Sequence, residues 1–537
     1  MIEQEESFVW WKHGIIYHIY PQSFYDTNAD GTGDLQGIIQ KLDYLKELGI
    51  DAIWLSPIYK SPLIDGGYDI SDFYSINPVY GTMQDFRELL EKAHSYQIKV
   101  IMDIVLNHTS SRHPWFKLSS SSKDNSKRNW YIWHDNLNEK KPNNWRTNFW
   151  KTAWTLDKVT DEYYYHSFFQ EQPDLNWRNP EVKKAMFEMI KFWLDLGIDG
   201  IRLDVINLIF KDKSLRNNSI LHLLSGKKAY NRNQPEVYKL LKDLRILLSQ
   251  YKDKASIGEI YAPPPGNSSL VNSFLGNGEN MLHLAFDFSL VFSPFNAKQY
   301  YKIIRNYYQS LPDKSWPCFF ISNHDIGRNL KRYFFSRYKF NKAKVLAAML
   351  LTLKGSPFIY YGDEIGMENT PLKRKNLRDR YGKMFYPFYK GRDKMRTPMQ
   401  WNSDEHAGFS ETSPWLPVNS NYQYVNVEKE KENPDSLYNL FEKLIKIRKQ
   451  HKALHMGDIK FINSGNNNLL LYMRYINNEK IMIILNFSFI RRKTQKLTLG
   501  RNYDILFSND NRKPNQIGTE RLTLNPFEII IIKINAD

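Results

Sequence analysis

The sequence contains a single cysteine, Cys318, among its 537 residues. One cysteine cannot form an intramolecular disulfide bond, so a disulfide-stabilised scaffold is excluded. Cys318 lies in the apolar run PCFFIS, which predicts a buried strand residue rather than a reactive thiol. The lack of paired cysteines is compatible with a reducing compartment.

Long hydrophobic runs are also missing at the start of the chain. The first residues, MIEQEESFVWWKHGIIYHIY, show neither a basic segment followed by an apolar h-region nor about 18 consecutive apolar residues. We therefore expect no signal peptide, no transmembrane helix, no membrane partner and a cytoplasmic location.

The basic residues do not form a compact patch, although the formal net charge is +16. Lys and Arg are scattered rather than gathered with stacking aromatic residues, which argues against nucleic acid as a partner. The densest basic stretch, LKRKNLRDRYGK at 372–383, is interpreted as the solvated rim of a long loop. We expect a monomer or a weak homo-oligomer.

What the chain does have is a repeated alternation of strand and helix. Amphipathic helical stretches at 35–49, 83–96 and 180–197 separate apolar runs of strand length. This alternation predicts an α/β protein, a (β/α)8 TIM barrel with parallel strands inside and helices outside. The eight predicted strands are 15–20, 52–56, 98–105, 200–205, 255–260, 284–288, 317–322 and 357–361.

Interruptions of this pattern define the predicted domains. After strand 3 an aromatic and polar stretch is too long for an ordinary barrel loop. We predict a small inserted domain B at 109–177 within a catalytic barrel of residues 1–108 and 178–456, and a second insertion at 366–420 over the same face. The rest, 457–537, is predicted to be a C-terminal antiparallel β-sandwich with strands DIKFIN, NLLLYMRY, KIMIILNFS, QKLTLG and PFEIIIIKI.

Four acidic residues end four of the predicted strands: Asp103, Asp204, Glu259 and Asp325. Carboxylates at the C-terminal ends of barrel strands converge on the face where barrel enzymes keep their active sites. A retaining glycosidase needs a carboxylate nucleophile and a carboxylic acid about 5 to 5.5 Å apart. A helix cap or a surface ion pair is the alternative for any single acid, but four acids at strand ends favour a site for sugar chemistry.

The residue types next to these acids fit supporting roles. Arg202 faces the same side of its strand as Asp204 and can keep that aspartate ionised, which suggests Asp204 as the nucleophile. Glu259 must start protonated to donate a proton, and this requires a raised pKa.

Two further groups of polar residues can hold a sugar. The run Asn323-His324-Asp325 offers a neutral donor and a third carboxylate, which can stabilise positive charge on an anomeric carbon. Asp103 with His108 can form a similar clamp.

Several segments closely resemble the signature segments of the α-amylase superfamily of glycoside hydrolases. GDEIGM (362–367), RTPMQW (396–401) and PWLPV (414–418) are similar to its bacterial α-glucosidase and oligo-1,6-glucosidase branch, so the resemblance spans nearly the whole chain. The signature segments are GGYDISDF (66–73), DIVLNH (103–108), QPDLN (172–176), GIRLDVIN (200–207), GEI (258–260) and ISNHD (321–325).

The resemblance implies a role for each acid. Asp204 would be the nucleophile, Glu259 the general acid/base and Asp325 the transition-state stabiliser. Asp103 would be a supporting residue that orients its neighbours. The residues implied to line the subsite of the cleaved glucose are His108, Arg202 and His324.

The resemblance also implies a closed pocket. It places Tyr68 under the sugar ring and pairs Asp69 with Arg396 beyond the non-reducing end. Such a pocket would release one glucose at a time from the chain end.

Two signals on the linkage disagree. In the branch that the chain resembles, Val after the nucleophile accompanies α-1,6 specificity, and Val205 occupies this position. The segment YPFYKGRDKMRTPMQW instead resembles α-glucosidases acting on α-1,4 or sucrose-type substrates. We expect a retaining α-glucosidase acting on α-1,6 or mixed α-1,4/α-1,6 bonds in short oligosaccharides or disaccharides, with sucrose as a further candidate.

Two other functions are alternatives. A transglucosylase or a sucrose isomerase would use the same covalent intermediate, and the motifs barely separate these from a hydrolase. A non-catalytic, membrane-anchored transporter subunit is disfavoured, because the acids are present and no anchor is seen.

The segment DTNADGTGD alternates oxygen-bearing side chains around a glycine. Hard cations such as Ca²⁺ favour oxygen ligands, and the segment resembles the loop after strand 1 that holds Ca²⁺ or Mg²⁺ in oligo-1,6-glucosidases. We expect a structural Ca²⁺ or Mg²⁺, and no cofactor for catalysis. The expected ligands are Asp26, Asn28, Asp30, Thr32 through its carbonyl, and Asp34.

Overall fold

The computed structural model describes residues 7–137, 139–221, 229–262, 267–330, 337–497, 502–513 and 521–535. Its strands are β1 (Ile16–Ile19), β2 (Ala52–Leu55), β3 (Tyr59–Lys60), β4 (Asp72–Ile76), β5 (Lys99–Ile104), β6 (Trp133–Asp135), β7 (Trp154–Asp157), β8 (Glu162–Tyr165), β9 (Gly200–Leu203), β10 (Ala255–Glu259), β11 (Leu284–Phe286), β12 (Cys318–Phe320), β13 (Ser356–Tyr360), β14 (Asp458–Ile462), β15 (Leu469–Ile476), β16 (Glu479–Asn486), β17 (Arg492–Lys496), β18 (Tyr503–Ser508), β19 (Arg521–Leu524) and β20 (Ile529–Ile534). Its α-helices are α1 (Trp10–His13), α2 (Leu35–Gln40), α3 (Leu42–Leu48), α4 (Met83–Ser95), α5 (Pro114–Ser119), α6 (Pro180–Leu196), α7 (Glu236–Leu248), α8 (Ser268–Ser273), α9 (Ala297–Ser310), α10 (Lys339–Thr352), α11 (Arg380–Phe385), α12 (Val427–Glu432), α13 (Leu437–Gln450) and α14 (Lys452–His455).

Eight parallel strands form a nearly closed barrel in the order β11, β10, β9, β5, β2, β1, β13, β12. The two end strands, β11 and β12, lie against each other. Strand β2, with the sequence AIWL, is buried at every position, as expected for a parallel strand covered on both faces. Each predicted strand overlaps one strand of the barrel, so the predicted TIM barrel is confirmed.

The helices follow the amphipathic stretches of the sequence. Helix α6 begins after Asn179, whose side chain accepts a hydrogen bond from Glu181 N, and ends at Gly197 in the left-handed region. The single helix predicted at 35–49 is instead two helices, α2 and α3, because Lys41 leaves the helical conformation between them. Its ammonium group lies over the rings of Tyr25 and Trp401.

A small antiparallel sheet, in the order β6, β8, β7, follows β5 and precedes α6. Its core is largely aromatic, because Trp145, Trp154, Tyr163 and Tyr165 pack together with Ala153. This is the predicted small domain inserted after the third barrel strand. The exact domain boundaries stay a prediction.

The C-terminal strands form two antiparallel sheets, one in the order β14, β15, β16, β20, β18 and the other of β17 and β19. Side chains of both sheets share one core, including Leu471, Ile484, Leu522 and Ile530. The predicted β-sandwich is therefore present. The sequence missed β18 and β19, and β17 covers only the start of the predicted strand 495–500, whose last residues lie outside the described part of the chain.

A buried arginine, Arg474, joins the barrel to the C-terminal sheets. Arg474 of β15 donates to the carbonyl oxygens of Thr352 (2.7 Å), Gly457 (2.8 Å) and Asp458 (3.2 Å). A second buried arginine, Arg448, connects α13 to the end of α10 and to the turn before β13, because it donates to the carbonyl oxygens of Leu351, Leu353 and Gly355. Across the described ranges, no helix is long and apolar enough to span a membrane.

Candidate active site

The four strand-end acids lie together at the C-terminal ends of the barrel strands. Asp103 of β5 is in register with Arg202 of β9. Asp204 follows β9, Glu259 ends β10, and Asp325 follows β12, two strands further round the barrel. Parallel strands bring these positions to one face, as predicted from the sequence.

Arg202 is the centre of the site. Its Nη1 donates to Asp103 Oδ1 (2.7 Å) and to Asp204 Oδ1 (2.8 Å). Its Nη2 donates to Glu259 Oε2. The side chain is 1% exposed, so these contacts are shielded from water and strong. One guanidinium therefore orients three carboxyl groups at once.

Asp204 and Glu259 are both buried next to Arg202, and this environment changes the pKa of each carboxyl group. Burial raises the pKa of both side chains, and the charge of Arg202 acts against this without cancelling it. The two carboxyl groups are held by the same guanidinium, because Arg202 donates to both. The two neighbouring carboxyl groups therefore both have a raised pKa and lie beside one cation. This favours a state in which one group is a carboxylate and the other a carboxylic acid.

The environment of Asp325 lowers its pKa, in contrast to those of Asp204 and Glu259. Burial alone would raise its pKa, but His324, Arg392 and Arg396 together outweigh burial and hold the pKa below its usual range. Arg396 Nη2 lies 2.5 Å from Asp325 Oδ1, and Arg392 Nη1 lies 3.5 Å from the same oxygen. Asp325 is therefore a fixed negative charge.

Tyr68 and His324 connect Asp103 to the other wall of the pocket. The Tyr68 hydroxyl donates to Asp103 Oδ2 (2.9 Å) and lies 2.8 Å from His324 Nε2. Burial lowers the pKa of His324 to about 3, so this imidazole is neutral near pH 7. Burial also raises the pKa of Asp103 to about 6, against the effect of Arg202.

The predicted Asp69–Arg396 pair is not formed. The Asp69 carboxylate instead accepts hydrogen bonds from Ser61 Oγ (3.1 Å) and from the backbone N–H groups of Ile64 and Asp65 (both 3.0 Å). Its bonds are local because the loop turns back on itself here, while the Arg396 guanidinium is held by Asp325 and the carbonyl of His324.

A different ion pair, Asp65–Arg392, lies in this region. Gln172 donates to Asp65 Oδ2 (3.0 Å), and its amide nitrogen is 3.0 Å from His108 Nε2, so His108 belongs to the same network. Sequence reasoning missed these partners. Asp65 directly precedes the segment GGYDISDF, Gln172 opens QPDLN, and Arg392 lies just before RTPMQW. The three partners therefore lie in or next to the segments that resemble the family.

The backbone after Asp204 is strained. Val205 has φ 36° and ψ 44°, in the left-handed region that a β-branched residue rarely adopts. Its N–H lies 3.4 Å from Glu259 Oε2. Such strain is maintained by surrounding packing and is common at active sites. The predicted strand 200–205 consequently ends at Leu203.

The predicted metal loop forms a tight turn whose side chains contact its own backbone. Asp26 Oδ2 accepts from Gly31 N (2.8 Å), and Asp30 Oδ1 accepts from Thr32 N (2.7 Å). Asp34 caps α2 by accepting from Gly37 N. Within the described residues, no group of three or more His, Cys, Asp or Glu side chains is arranged to hold a metal ion. The donors are nevertheless all oxygens with spare lone pairs, which suits a hard cation.

Comparison with known proteins agrees with this geometry. The family model "Alpha amylase, catalytic domain" matches residues 18–457. The oligo-1,6-glucosidases of Parageobacillus thermoglucosidasius and Bacillus cereus are 39% and 37% identical, each over 98% of this chain and 99% of the relative. The crystal structure of an isomaltulose synthase mutant from Erwinia rhapontici, with sucrose bound, has a TM-score of 0.91 at 34% identity and covers 99% of this chain and 100% of its own.

The fold and the family match define a barrel enzyme that acts on glycosidic bonds. The chain belongs to the α-amylase family of glycoside hydrolases.

Proposed function

We propose that the protein is a retaining, exo-acting α-glucosidase that removes terminal non-reducing glucose from disaccharides and short oligosaccharides. The observation that supports this most is the position of Asp204 and Glu259 on one guanidinium, Arg202. This gives an oriented nucleophile next to a carboxylic acid, which is the pair that retaining hydrolysis needs.

In the first step, Asp204 attacks the anomeric carbon while the bond to the leaving oxygen breaks and Glu259 gives its proton to that oxygen. A glucosyl ester on Asp204 and an ionised Glu259 result. In the second step, Glu259 takes a proton from water, the water oxygen attacks the anomeric carbon, and the ester bond breaks. Glucose leaves as the α anomer, and both carboxyl groups return to their starting states.

Asp325 stabilises the positive charge that develops on the sugar in both steps. A carboxylate held at a fixed position interacts favourably with an oxocarbenium-like transition state. Its contacts with Arg396 and Arg392 hold it in place before substrate arrives. The low pKa of Asp325 means that it provides this charge throughout the working pH range.

The Asp65–Arg392 pair supports exo action. It lies beside Asp325 and is linked through Gln172 to His108, so charged and amide groups close this end of the site. Gly66, with φ +60°, allows the loop to approach so closely that a Cβ atom there would be 2.9 Å from Arg396 Nη1. A pocket that is closed at this end holds one terminal sugar ring and leaves no space for a further sugar unit.

The linkage proposed is α-1,6, or mixed α-1,4/α-1,6. Val205 supports it, because this residue directly follows Asp204, its N–H lies 3.4 Å from Glu259 Oε2, and its strained backbone fixes the direction of its side chain. The curated relatives named oligo-1,6-glucosidase point to the same bond.

Glucosyl transfer is the second candidate. The likeness to an isomaltulose synthase over nearly the whole chain favours it, since an isomerase uses the same intermediate and replaces water with a sugar hydroxyl. The leaving-group side of the pocket, rather than the catalytic trio, must then decide between water and sugar.

One pair of measurements tests these proposals. Proton NMR of the first-formed glucose should show the α anomer, and the β anomer would show inversion. Initial rates and products on α-1,2-, α-1,3-, α-1,4- and α-1,6-linked disaccharides, sucrose and trehalose should show hydrolysis with isomaltose among the best substrates. Mainly isomerised or lengthened sugars would overturn the hydrolase proposal.

We also propose that the loop 26–34 binds one structural Ca²⁺ or Mg²⁺. The alternating oxygen donors and the tight turn at Gly31, with φ +85°, support it. The loop lies after β1 and its carboxylates make no contact with the catalytic trio in the described residues, so the ion would stabilise the fold rather than take part in catalysis.

A further inference from the structure

Three buried rings pack together beneath the catalytic acids. We call His18, Trp54 and His324 the aromatic floor. The register of the barrel places His18 of β1 directly beside Trp54 of β2, and their rings stack with centroids 3.6 Å apart and planes 11° apart. The His324 ring is nearly perpendicular to both, at 5.0 Å from His18 and 6.0 Å from Trp54. These separations are typical of favourable aromatic contacts, so the three rings form one packed unit.

Trp54 connects the aromatic floor to Arg202. It pairs with Ile101 of β5, two residues before Asp103, so it lies deeper in the barrel than the catalytic acids. The guanidinium carbon of Arg202 is 5.2 Å from the centre of the Trp54 ring. A guanidinium within about 6 Å of an indole ring is attracted to it, and more strongly where water is excluded. Trp54 is 2% exposed and Arg202 is 1% exposed, so water does not weaken this contact.

The indole contact complements the hydrogen bonds of Arg202. The two terminal nitrogens of the guanidinium bind Asp103, Asp204 and Glu259, while Nε has no hydrogen-bond partner among the described residues. The other titratable group that faces it is Tyr68, whose ring centre is 6.0 Å from the guanidinium carbon. Carboxyl groups therefore hold the outer end of the guanidinium, and an aromatic ring supports it from the interior of the barrel.

His324 is also positioned by the aromatic floor. Its Nε2 lies 2.8 Å from the Tyr68 hydroxyl, but its Nδ1 has no hydrogen-bond partner within the described ranges. The contacts with His18 and Trp54 therefore help to set the orientation of this imidazole. Burial lowers the pKa of both histidines, so the rings are neutral near pH 7 and bring no positive charge close to Arg202.

We propose that Trp54 is a positioning residue, which supports the Arg202 guanidinium and the His324 ring and so keeps the catalytic acids in their working arrangement. This inference rests on the proposed α-glucosidase function. Without the indole, the guanidinium has space to move away from Asp204. A guanidinium about 1 Å further away attracts the carboxylate less by roughly a fifth. At an effective dielectric constant near 20, this moves the acidic limb of the pH profile up by about half a pH unit.

The test replaces Trp54 by Met, which fills part of the space but offers no ring. We would measure kcat and KM for α-glucosyl fluoride from pH 4 to 9, below the melting temperature of each variant. Trp54→Met should lower kcat by roughly tenfold with little change in KM, because the contact acts on the transition state through Arg202. It should also move the acidic limb up by about half a pH unit. Trp54→Phe provides a ring again and should return the limb to the wild-type position.

Trp10→Met is the matched control. Trp10 belongs to the same core cluster as Trp54, but a Cβ atom on Gly200, the first residue of β9, would be 3.1 Å from its ring. Its Nε1 donates to the carbonyl oxygen of Asp253 (2.9 Å), just before β10. This variant should melt at a lower temperature and keep the wild-type acidic limb. His18→Ala removes the ring that stacks on Trp54 and should move the limb in the same direction as Trp54→Met, but less.

The outcomes separate this inference from the function beneath it. A folded Trp54→Met variant with the wild-type acidic limb would overturn the inference. Equal movements in Trp54→Met and Trp10→Met would show a general effect of lost stability and overturn it as well. If Trp54→Met does not fold, an unmoved limb in His18→Ala overturns it. A wild type that cleaves neither α-glucosyl fluoride nor any α-linked disaccharide would refute the α-glucosidase function itself, and the inference would fall with it.

Discussion

Replacing Arg202 by Met should move the acidic limb of the pH profile to higher pH. Arg202 contacts Asp204 at 2.8 Å while also binding Asp103 and Glu259. Charges about 4 Å apart interact by roughly 4 kcal/mol at an effective dielectric constant near 20. Removing this interaction from a buried aspartate, whose pKa burial already raises, lowers its acid dissociation constant by about a thousandfold.

The acidic limb moves to higher pH because of the role of Asp204. The nucleophile must be ionised, so activity is present above its pKa and lost as the pH falls through that value. Without Arg202 the pKa rises, because burial and the neighbouring carboxylates remain while the cation is gone. At pH 7, kcat/KM should fall by up to about three orders of magnitude and recover partly on raising the pH.

The assay is kcat/KM for α-glucosyl fluoride from pH 4 to 9, with thermal melting by circular dichroism to verify folding. Arg202→Lys is the matched control, since it keeps the charge but cannot bridge three carboxyl groups. It should lose less activity and show a smaller movement of the acidic limb. A folded Arg202→Met variant with an unmoved acidic limb would refute the reasoning.

Three further predictions follow from other parts of the structure. Val205→Thr should lower the isomaltose-to-maltose ratio of kcat/KM by roughly tenfold, and an unchanged ratio would separate Val205 from linkage choice. Arg474→Leu leaves two buried carbonyl oxygens, of Thr352 and Gly457, and the partly buried one of Asp458 without this donor, and should cost about 3 kcal/mol in urea unfolding, with kcat unchanged at low temperature. EDTA should lower the melting temperature and Ca²⁺ restore it, and Asp30→Ala should remove this response; a melting temperature that EDTA leaves unchanged would argue against the ion.

The sequence predicts the structure best where runs of buried residues recur along the chain. Barrel strands are apolar on both faces, so their runs are visible, and the acids that end them are conspicuous because charged groups rarely follow buried strands. The convergence of Asp103, Asp204 and Glu259 is a consequence of parallel register. For this reason the barrel and the grouping of the acids could be predicted together.

Side-chain partners in loops could not be predicted in the same way. The resemblance pairs Asp69 with Arg396, but the local turn gives the Asp69 carboxylate two backbone N–H donors. The ion pair in this region is formed by Asp65 and Arg392 instead. Loop backbones set side-chain directions without a fixed periodicity. The left-handed backbone of Val205 is also invisible in sequence, because a valine in an apolar run predicts continued strand.

The short C-terminal strands were missed for a related reason. Strand β19 is the four-residue segment RLTL, and its pairing with β17 is irregular between Lys493 and Lys496. Strand β18 is only partly buried along its length. Short, half-exposed strands carry little alternation, so tertiary packing decides their formation.

The central claim is that Asp204 forms a covalent bond to glucose. The most direct measurement is mass spectrometry of the enzyme after reaction with a 5-fluoro-α-glucosyl fluoride, which slows the second step, followed by peptide mapping. The account predicts one fluoroglucosyl group on the peptide containing Asp204, and none in Asp204→Ala. A label on another residue, or rapid turnover of the wild type with no trapped ester and β-glucose as the first product, would contradict it.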